Sequence, residues 1–290
     1  MIKKVLKILL CCTLVIPGVS TFANEVNKID KSTEMPEIVS ENVDYWRERI
    51  PSYDEYLDKN PNNKLVGENE VYIKYTLNDK TKSNSDLGTT DVYKSKVYTK
   101  DEYLKEELQR GIGSFEPDGK EPYWLRLDLQ VYEMPNMKNV LMAHSFWEWK
   151  TDPILRFTDL NGIYLSDGLL IGSNTPSTPI VSEYITYDEY GNMHRTFNKY
   201  DIDDYSKGMA GLVDLAVAPE YLPKIVSHMG MTQAPVIKQR PNSYVSSAIS
   251  TNYVHKEVAL GLPSFDSNGK PSFGLNISSD EHSGSVYVSF

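Results

Sequence analysis

The chain has 290 residues, of which 40% are hydrophobic, 24% charged and 11% aromatic. That is enough apolar side chain to bury a core in one or two domains and too much for a disordered acidic tail. Thirty Lys and Arg against 40 Asp and Glu give a formal net charge of −10, which argues against nucleic-acid binding and against simple electrostatic adhesion to anionic lipid or wall polymer.

Residues 1–23 predict an export signal. Lys3, Lys4 and Lys7 supply the positive start, the run to Ile16 is apolar, and Pro17-Gly18 breaks it. Thr21 and Ala23 then place small residues at −3 and −1 before Asn24. Cleavage there removes three Lys and no acid, so the charge moves from −10 to −13. Both cysteines, Cys11 and Cys12, leave with the signal. The mature chain then has no disulfide, thiol nucleophile or thiolate metal site. No internal apolar run reaches the roughly 18 residues of a spanning helix, so no transmembrane span is expected after cleavage.

From residue 24 to about 70 the composition is polar, rich in Asn, Asp, Glu, Lys and Ser. It reads as a flexible or loosely docked arm, with a cleaved pro-segment as the functional alternative, and carries one helical piece over Val43–Ile50 that stops before Pro51. A β-rich domain is expected over 71–290. Its first strand is Val71–Leu77, rich in β-branched and aromatic residues. Thr99-Lys100-Asp101-Glu102 has the spacing of a capping box. The helix it opens stacks Leu104 on Leu108 and ends near Gly111.

Tyr123–Tyr132 alternates most clearly, with Leu125, Leu127, Leu129 and Val131 on one face and Arg126, Asp128 and Gln130 on the other. Asn139–Lys150 reads as its partner: Val140, Met142, His144 and Phe146 on one side, Leu141, Ala143, Trp147 and Trp149 on the other. Glu183–Asn198 reads as a hairpin about Gly191-Asn192. Later strands are expected over Gly211–Val217, Tyr244–Val258, Ser272–Ile277 and Ser285–Phe290. Asp118-Gly119, Asn161-Gly162, Asp167-Gly168 and Asn268-Gly269 read as turns. Many short strands with regular turns predict a mainly β protein, an antiparallel β-sandwich with one or two short helices.

The chain carries no GxSxG, HExxH, Walker loop or dinucleotide fingerprint. His144 and Glu148 share a strand face, but four residues along a strand span about 13 Å, too far to grip one ion directly. Asp201, Asp203 and Asp204 form an acidic cluster of the kind that extracellular calcium loops use. The EF-hand pattern fails there, because Tyr205 takes the third ligand position. Calcium is therefore the one cofactor the sequence raises, against the plain reading of a solvated turn. Trp147 and Trp149 are candidate binding residues, as a stacking platform for sugar rings; their alternative is a place in the sandwich core.

The segment Phe146-Trp147-Glu148-Trp149-Lys150-Thr151-Asp152-Pro153-Ile154-Leu155-Arg156-Phe157-Thr158-Asp159 resembles a pattern in uncharacterised secreted β-rich proteins of Bacillus-type (Firmicutes) bacteria. The tail from Tyr253-Val254-His255 to Val286-Tyr287-Val288-Ser289-Phe290 is similar to the closing strands of the same group. The resemblance implies an exported, mostly β protein and brings no activity with it. In it Pro153 ends a strand and Asp159 caps the following turn.

These features favour a secreted binding or interaction module at or outside the cell surface, with a surface polymer, protein or small molecule as partner. An extracellular polymer hydrolase using Asp/Glu chemistry comes second, and one carboxylate of raised pKa beside an ionised one in a cleft is the arrangement that would favour it. A β-type membrane-active toxin comes third, with Ser173–Tyr187 and Asn242–Val254 as its amphipathic hairpins.

Overall fold

The computed structural model describes residues 40–77, 93–111, 122–151, 158–202, 204–215, 224–239, 247–256, 263–265, 271–273 and 279–288. The helices are α1 (Glu41–Arg47), α2 (Pro51–Lys59) and α3 (Lys100–Gly111). The strands are β1 (Lys64–Leu77), β2 (Tyr93–Tyr98), β3 (Tyr123–Glu133), β4 (Val140–Trp149), β5 (Thr158–Leu165), β6 (Leu169–Ile171), β7 (Val181–Asp188), β8 (Met193–Phe197), β9 (Tyr200–Asp201) and β10 (Gly208–Asp214). They continue with β11 (Ile225–Lys238), β12 (Ser247–Lys256), β13 (Pro263–Phe265), β14 (Pro271–Phe273) and β15 (Ser279–Val288).

Among the described residues these strands form a larger sheet in the order β2-β1-β3-β4-β11-β7-β8, with β6 also on β11. A smaller sheet runs β15-β12-β5-β10-β9, and β13 pairs with β14. Every pairing is antiparallel. The two larger sheets pack face to face. At one end Leu129, Val131, Leu141 and Ala143 of the first meet Ile163, Leu165, Met209 and Ile249 of the second. At the other end Leu125, Leu127 and Trp147 meet Val213 and Tyr253. The antiparallel sandwich read from the sequence is therefore the fold, with three helices among the described residues where one or two were expected.

A polar seam crosses the space between the sheets. Asn161 on β5 donates from Nδ2 to Ser145 Oγ on β4 across 2.9 Å, and the Ser145 hydroxyl is bonded to that of Thr251 on β12. Thr232 on β11 donates to the Asn161 backbone carbonyl at 3.1 Å. All four residues are fully buried, so these bonds are what makes their burial tolerable. Gly211 on β10 sits at the seam too. A Cβ there would lie 2.0 Å from Ser182 Oγ, so the two sheets come this close only because the side chain is missing.

Several elements follow the sequence reading. β3 pairs with β4, and each puts its expected apolar set between the sheets. β7 and β8 form the hairpin about Gly191, whose φ of +80° needs no Cβ. Thr99 caps α3 reciprocally: its N–H donates to Glu102 Oε2 (2.8 Å) and its hydroxyl accepts from the Glu102 N–H (3.3 Å). Asp167-Gly168 makes the turn from β5 to β6.

Others are corrected. The helical piece read before Pro51 is α1, which stops at Arg47, but a second helix, α2, follows, with Pro51 in its first turn, where its missing N–H costs nothing. β1 begins at Lys64, inside the stretch read as an arm. Asn161-Gly162 is mid-strand in β5, paired with Gly211 and Ala210. Asp159 is buried in the same strand, accepting from the Tyr253 hydroxyl (2.7 Å) and lying 3.0 Å from His255 Nδ1, while the turn before it lies outside the described residues. β2 and β11 have no counterpart among the strands expected from the sequence. Leu104 and Leu108 both point outward from α3, 52% and 68% exposed, while Tyr103 makes the contact, stacked on Tyr72 at 4.1 Å. Pro153, Asp118-Gly119 and Asn268-Gly269 lie outside the described residues.

Candidate functional site

The face of the larger sheet turned away from the sandwich is covered by α1 and α2. Alternation along β3 and β4 sends Arg126, Asp128, Gln130, His144 and Glu148 to this face, where a solvated surface is expected from their polarity. Instead each is under 9% exposed. The helices bring apolar anchors to it: Trp46, Ile50 and Tyr53 are fully buried, and Trp46 stacks on Phe146 with ring centroids 4.8 Å apart.

The helical segment also brings a hydrogen-bond donor to each of five carboxylates. Ser40 donates to Glu68 (2.8 Å) and Asn42 to Glu70 (3.1 Å). The Trp46 indole donates to Asp128 (2.6 Å), the Tyr45 hydroxyl to Glu148 (2.6 Å) and the Ser52 backbone N–H to Glu183 (3.2 Å). Arg126 completes the layer, 2.7 Å from Glu70, with its guanidinium over the rings of Tyr45 and Trp46 at 4.3 and 4.8 Å.

Burial under this cover sets the protonation of two groups. Asp128 is shut off from water, which raises its pKa well above the usual carboxylate range. The neighbouring Glu68 charge raises it further, against the opposing pull of Arg126. Burial pushes the His144 pKa down to about 3, only weakly opposed by Gln233, and the ring packs among Tyr53, Tyr56 and Tyr132. For Glu70 burial acts upward, but Arg126 and the bonds from Tyr72 and Asn42 outweigh it and hold the carboxyl below its ordinary value.

Two clefts flank the cover. One, of about 630 Å³, opens beside α1 between Tyr45, Arg49, Lys150 and Tyr187. The other, of about 500 Å³, lies between α2, the loop 173–179 and β8. Arg195 forms a wall of the second cleft. It is ion-paired with the fully buried Glu183, donates to Ser52 Oγ at 2.7 Å and lies 3.6 Å from Glu55. Its guanidinium covers one face of the Phe197 ring at 4.6 Å, and Phe197 is 62% exposed. The hairpin turn fixes β8, because Asp188 Oδ1 accepts from the N–H groups of Tyr190 and Asn192. An exposed aromatic ring on a fixed strand, above a floor of Tyr56 and Gln233, is an arrangement that can stack a flat apolar surface and bond polar groups beside it.

The residues singled out from the sequence sit elsewhere. Trp147 and Trp149 are 0% and 4% exposed and pack between the sheets, Trp149 donating to the Tyr253 hydroxyl at 3.1 Å; neither lines either of these two clefts. They are core residues because the strand face they share is the sandwich face. Asp201 is exposed in β9, and Asp204 accepts from the N–H and hydroxyl of Ser206, closing its own turn. Asp203 lies outside the described residues. Among the described residues no three His, Cys, Asp or Glu converge on a point where an ion could sit. Asp128 is a carboxyl of raised pKa beside another acid, but α1 seals it and it lines neither cleft. Sequence reasoning missed Phe197 and Arg195, whose signal was their alternation along the second strand of a hairpin it had placed.

No protein-family model matches the chain, and no curated relative matches it. Among solved structures it is similar to Clostridium perfringens delta-toxin, at 10% identity over 58% of this chain and 84% of that one, with a TM-score of 0.23. A likeness that distant says nothing about activity.

Proposed function

We propose that the chain is an exported binding module that holds a segment of an extracellular or cell-surface polymer in the cleft between α2, the loop 173–179 and β8. The observation that carries this reading is Phe197: a large aromatic side chain, 62% exposed, held at the mouth of a 500 Å³ cleft by the ion-paired Arg195 beneath it. Such a ring offers contact area with little conformational freedom left to lose on binding. The export signal read over residues 1–23 supports a partner outside the cell.

Retention of the purified chain on insoluble cell-wall and extracellular polymer preparations tests the reading, with melting temperature measured alongside. The wild-type chain is expected to be retained, and Phe197→Ala to elute freely with an unchanged melting temperature. Equal retention of Phe197→Ala and the wild type would remove this cleft as the site.

A further inference from the structure

Building on the polymer-binding reading of the cleft beside α2, we infer that its ligand is an uncharged, polyhydroxylated chain: a neutral glycan rather than a polyanion or a charged peptide. Three ionised side chains line the cleft, and each has its counter-charge within the protein. Arg195 is bonded to Glu183, which is fully buried behind the wall, and lies 3.6 Å from Glu55. Lys59 is 3.5 Å from the same Glu55. Two cations and two acids therefore balance around the opening, and Arg195 is already held on three sides by Glu183, Ser52 and Glu55. Phosphate or sulfate groups would have to strip Arg195 from a buried carboxylate, leaving that charge uncompensated. The formal net charge of −10 repels polyanions further.

What the cleft does present is neutral. Phe197 gives one ring face to Arg195 and leaves the other to solvent, which suits the apolar face of a pyranose ring. Around it stand uncharged donors and acceptors. Ser177 contributes a hydroxyl, and Asn60, whose Nδ2 is used by the Tyr56 carbonyl at 2.9 Å, contributes its amide oxygen. On the floor Gln233 donates from Nε2 to the Pro179 carbonyl at 2.8 Å. Its buried Oε1 reaches toward His144 without a hydrogen bond of ordinary geometry. Pro176 and Pro179 stiffen the facing loop, where Thr175 and Thr178 bond each other at 2.7 Å, so the wall opposite the ring needs little ordering on binding.

Affinity electrophoresis of the full chain through gels containing laminarin, xylan or mannan, against gels containing polygalacturonate or heparin, separates the alternatives, with retention on cellulose and chitin as the insoluble neutral arm. The expected result is retardation or retention by at least one neutral glycan, unchanged between 50 and 500 mM salt (roughly a threefold change in screening length). Phe197→Ala should lose it at least tenfold and Ser177→Ala should weaken it severalfold. Retardation by the polyanions alone, relieved by salt, overturns the neutral class and leaves polymer binding standing. Binding to none of the neutral glycans with retention on intact cell walls also overturns it. Failure to bind any polymer in either format brings down both this inference and the reading beneath it.

Discussion

The indole N–H of Trp46 lies 2.6 Å from Oδ2 of Asp128, 82 residues further along the chain, and joins α1 to the middle of the larger sheet. Both residues are fully buried. The bond serves two purposes: it satisfies an indole donor that has no water near it, and it gives a buried carboxyl one of the partners its burial demands.

Trp46→Phe keeps the stacking on Phe146 and removes this donor. The variant should lose about 1–3 kcal/mol of unfolding free energy, read from urea denaturation followed by circular dichroism. Trp46→Ala should lose about 3–5 kcal/mol, because the ring volume goes as well. Equal, small effects of the two substitutions would mean that α1 is not docked as described.

Asp128 makes stability depend on pH in a direction opposite to that of ordinary carboxylates. Its folded-state pKa is raised above the unfolded value, first by burial and then by Glu68. The folded state therefore holds the proton more tightly than the unfolded one. That contribution is fully present below the unfolded pKa of about 4 and is lost as pH rises toward the folded pKa. Asp128→Asn removes the dependence. The stability of the variant relative to the wild type should rise from pH 4 upward and then level off; a difference that stays flat from pH 4 to pH 8 would show that Asp128 is not protonated in the folded chain.

His144 acts in the other sense. Burial lowers its pKa from 6.5 to about 3, so the folded state excludes a proton that the unfolded state accepts. Its contribution is present above 6.5 and drains away as pH falls toward 3. His144→Leu should therefore be costlier at pH 7.5 than at pH 4.5. The same cost at both would contradict a neutral, buried imidazole.

Gly211→Ala places a methyl 2.0 Å from Ser182 Oγ and 2.8 Å from its Cβ. Crowding of that kind costs about 1–3 kcal/mol. Ser182→Gly in the same chain should recover much of the loss, so the pair of substitutions will be non-additive. Strict additivity in thermal unfolding would place the strain elsewhere.

What the sequence made legible was periodicity. β3 and β4 read correctly because leucines, tryptophans and small residues recur every second position, and the β7–β8 hairpin because Gly191 sits where φ is positive. The cover was not legible. Trp46 and Ile50 are four apart, Tyr53 and Tyr56 three apart on the next helix, and Pro51 divides them into two apolar stripes too short to outweigh the charged residues around them. β11 stayed hidden because Gly230 and Pro235 interrupt it. It tolerates Gly230 because the bare backbone lets the Trp147 ring approach, at 2.8 Å from where a Cβ would be. The cleft depends on residues 52, 177, 195 and 233 meeting from four separate stretches, and no local pattern encodes that.

The seam of hydroxyl and amide groups between the sheets gives the sandwich a key. Two oily surfaces can slide past each other at small cost, but here Ser145, Asn161, Thr232 and Thr251 find their partners in one alignment only. Sliding either sheet over the other by one residue would part these groups and strand them against hydrocarbon. The interior thus selects a single seating of one sheet upon the other, and everything mounted on the outer face, the cleft and Phe197 included, takes its position from that choice.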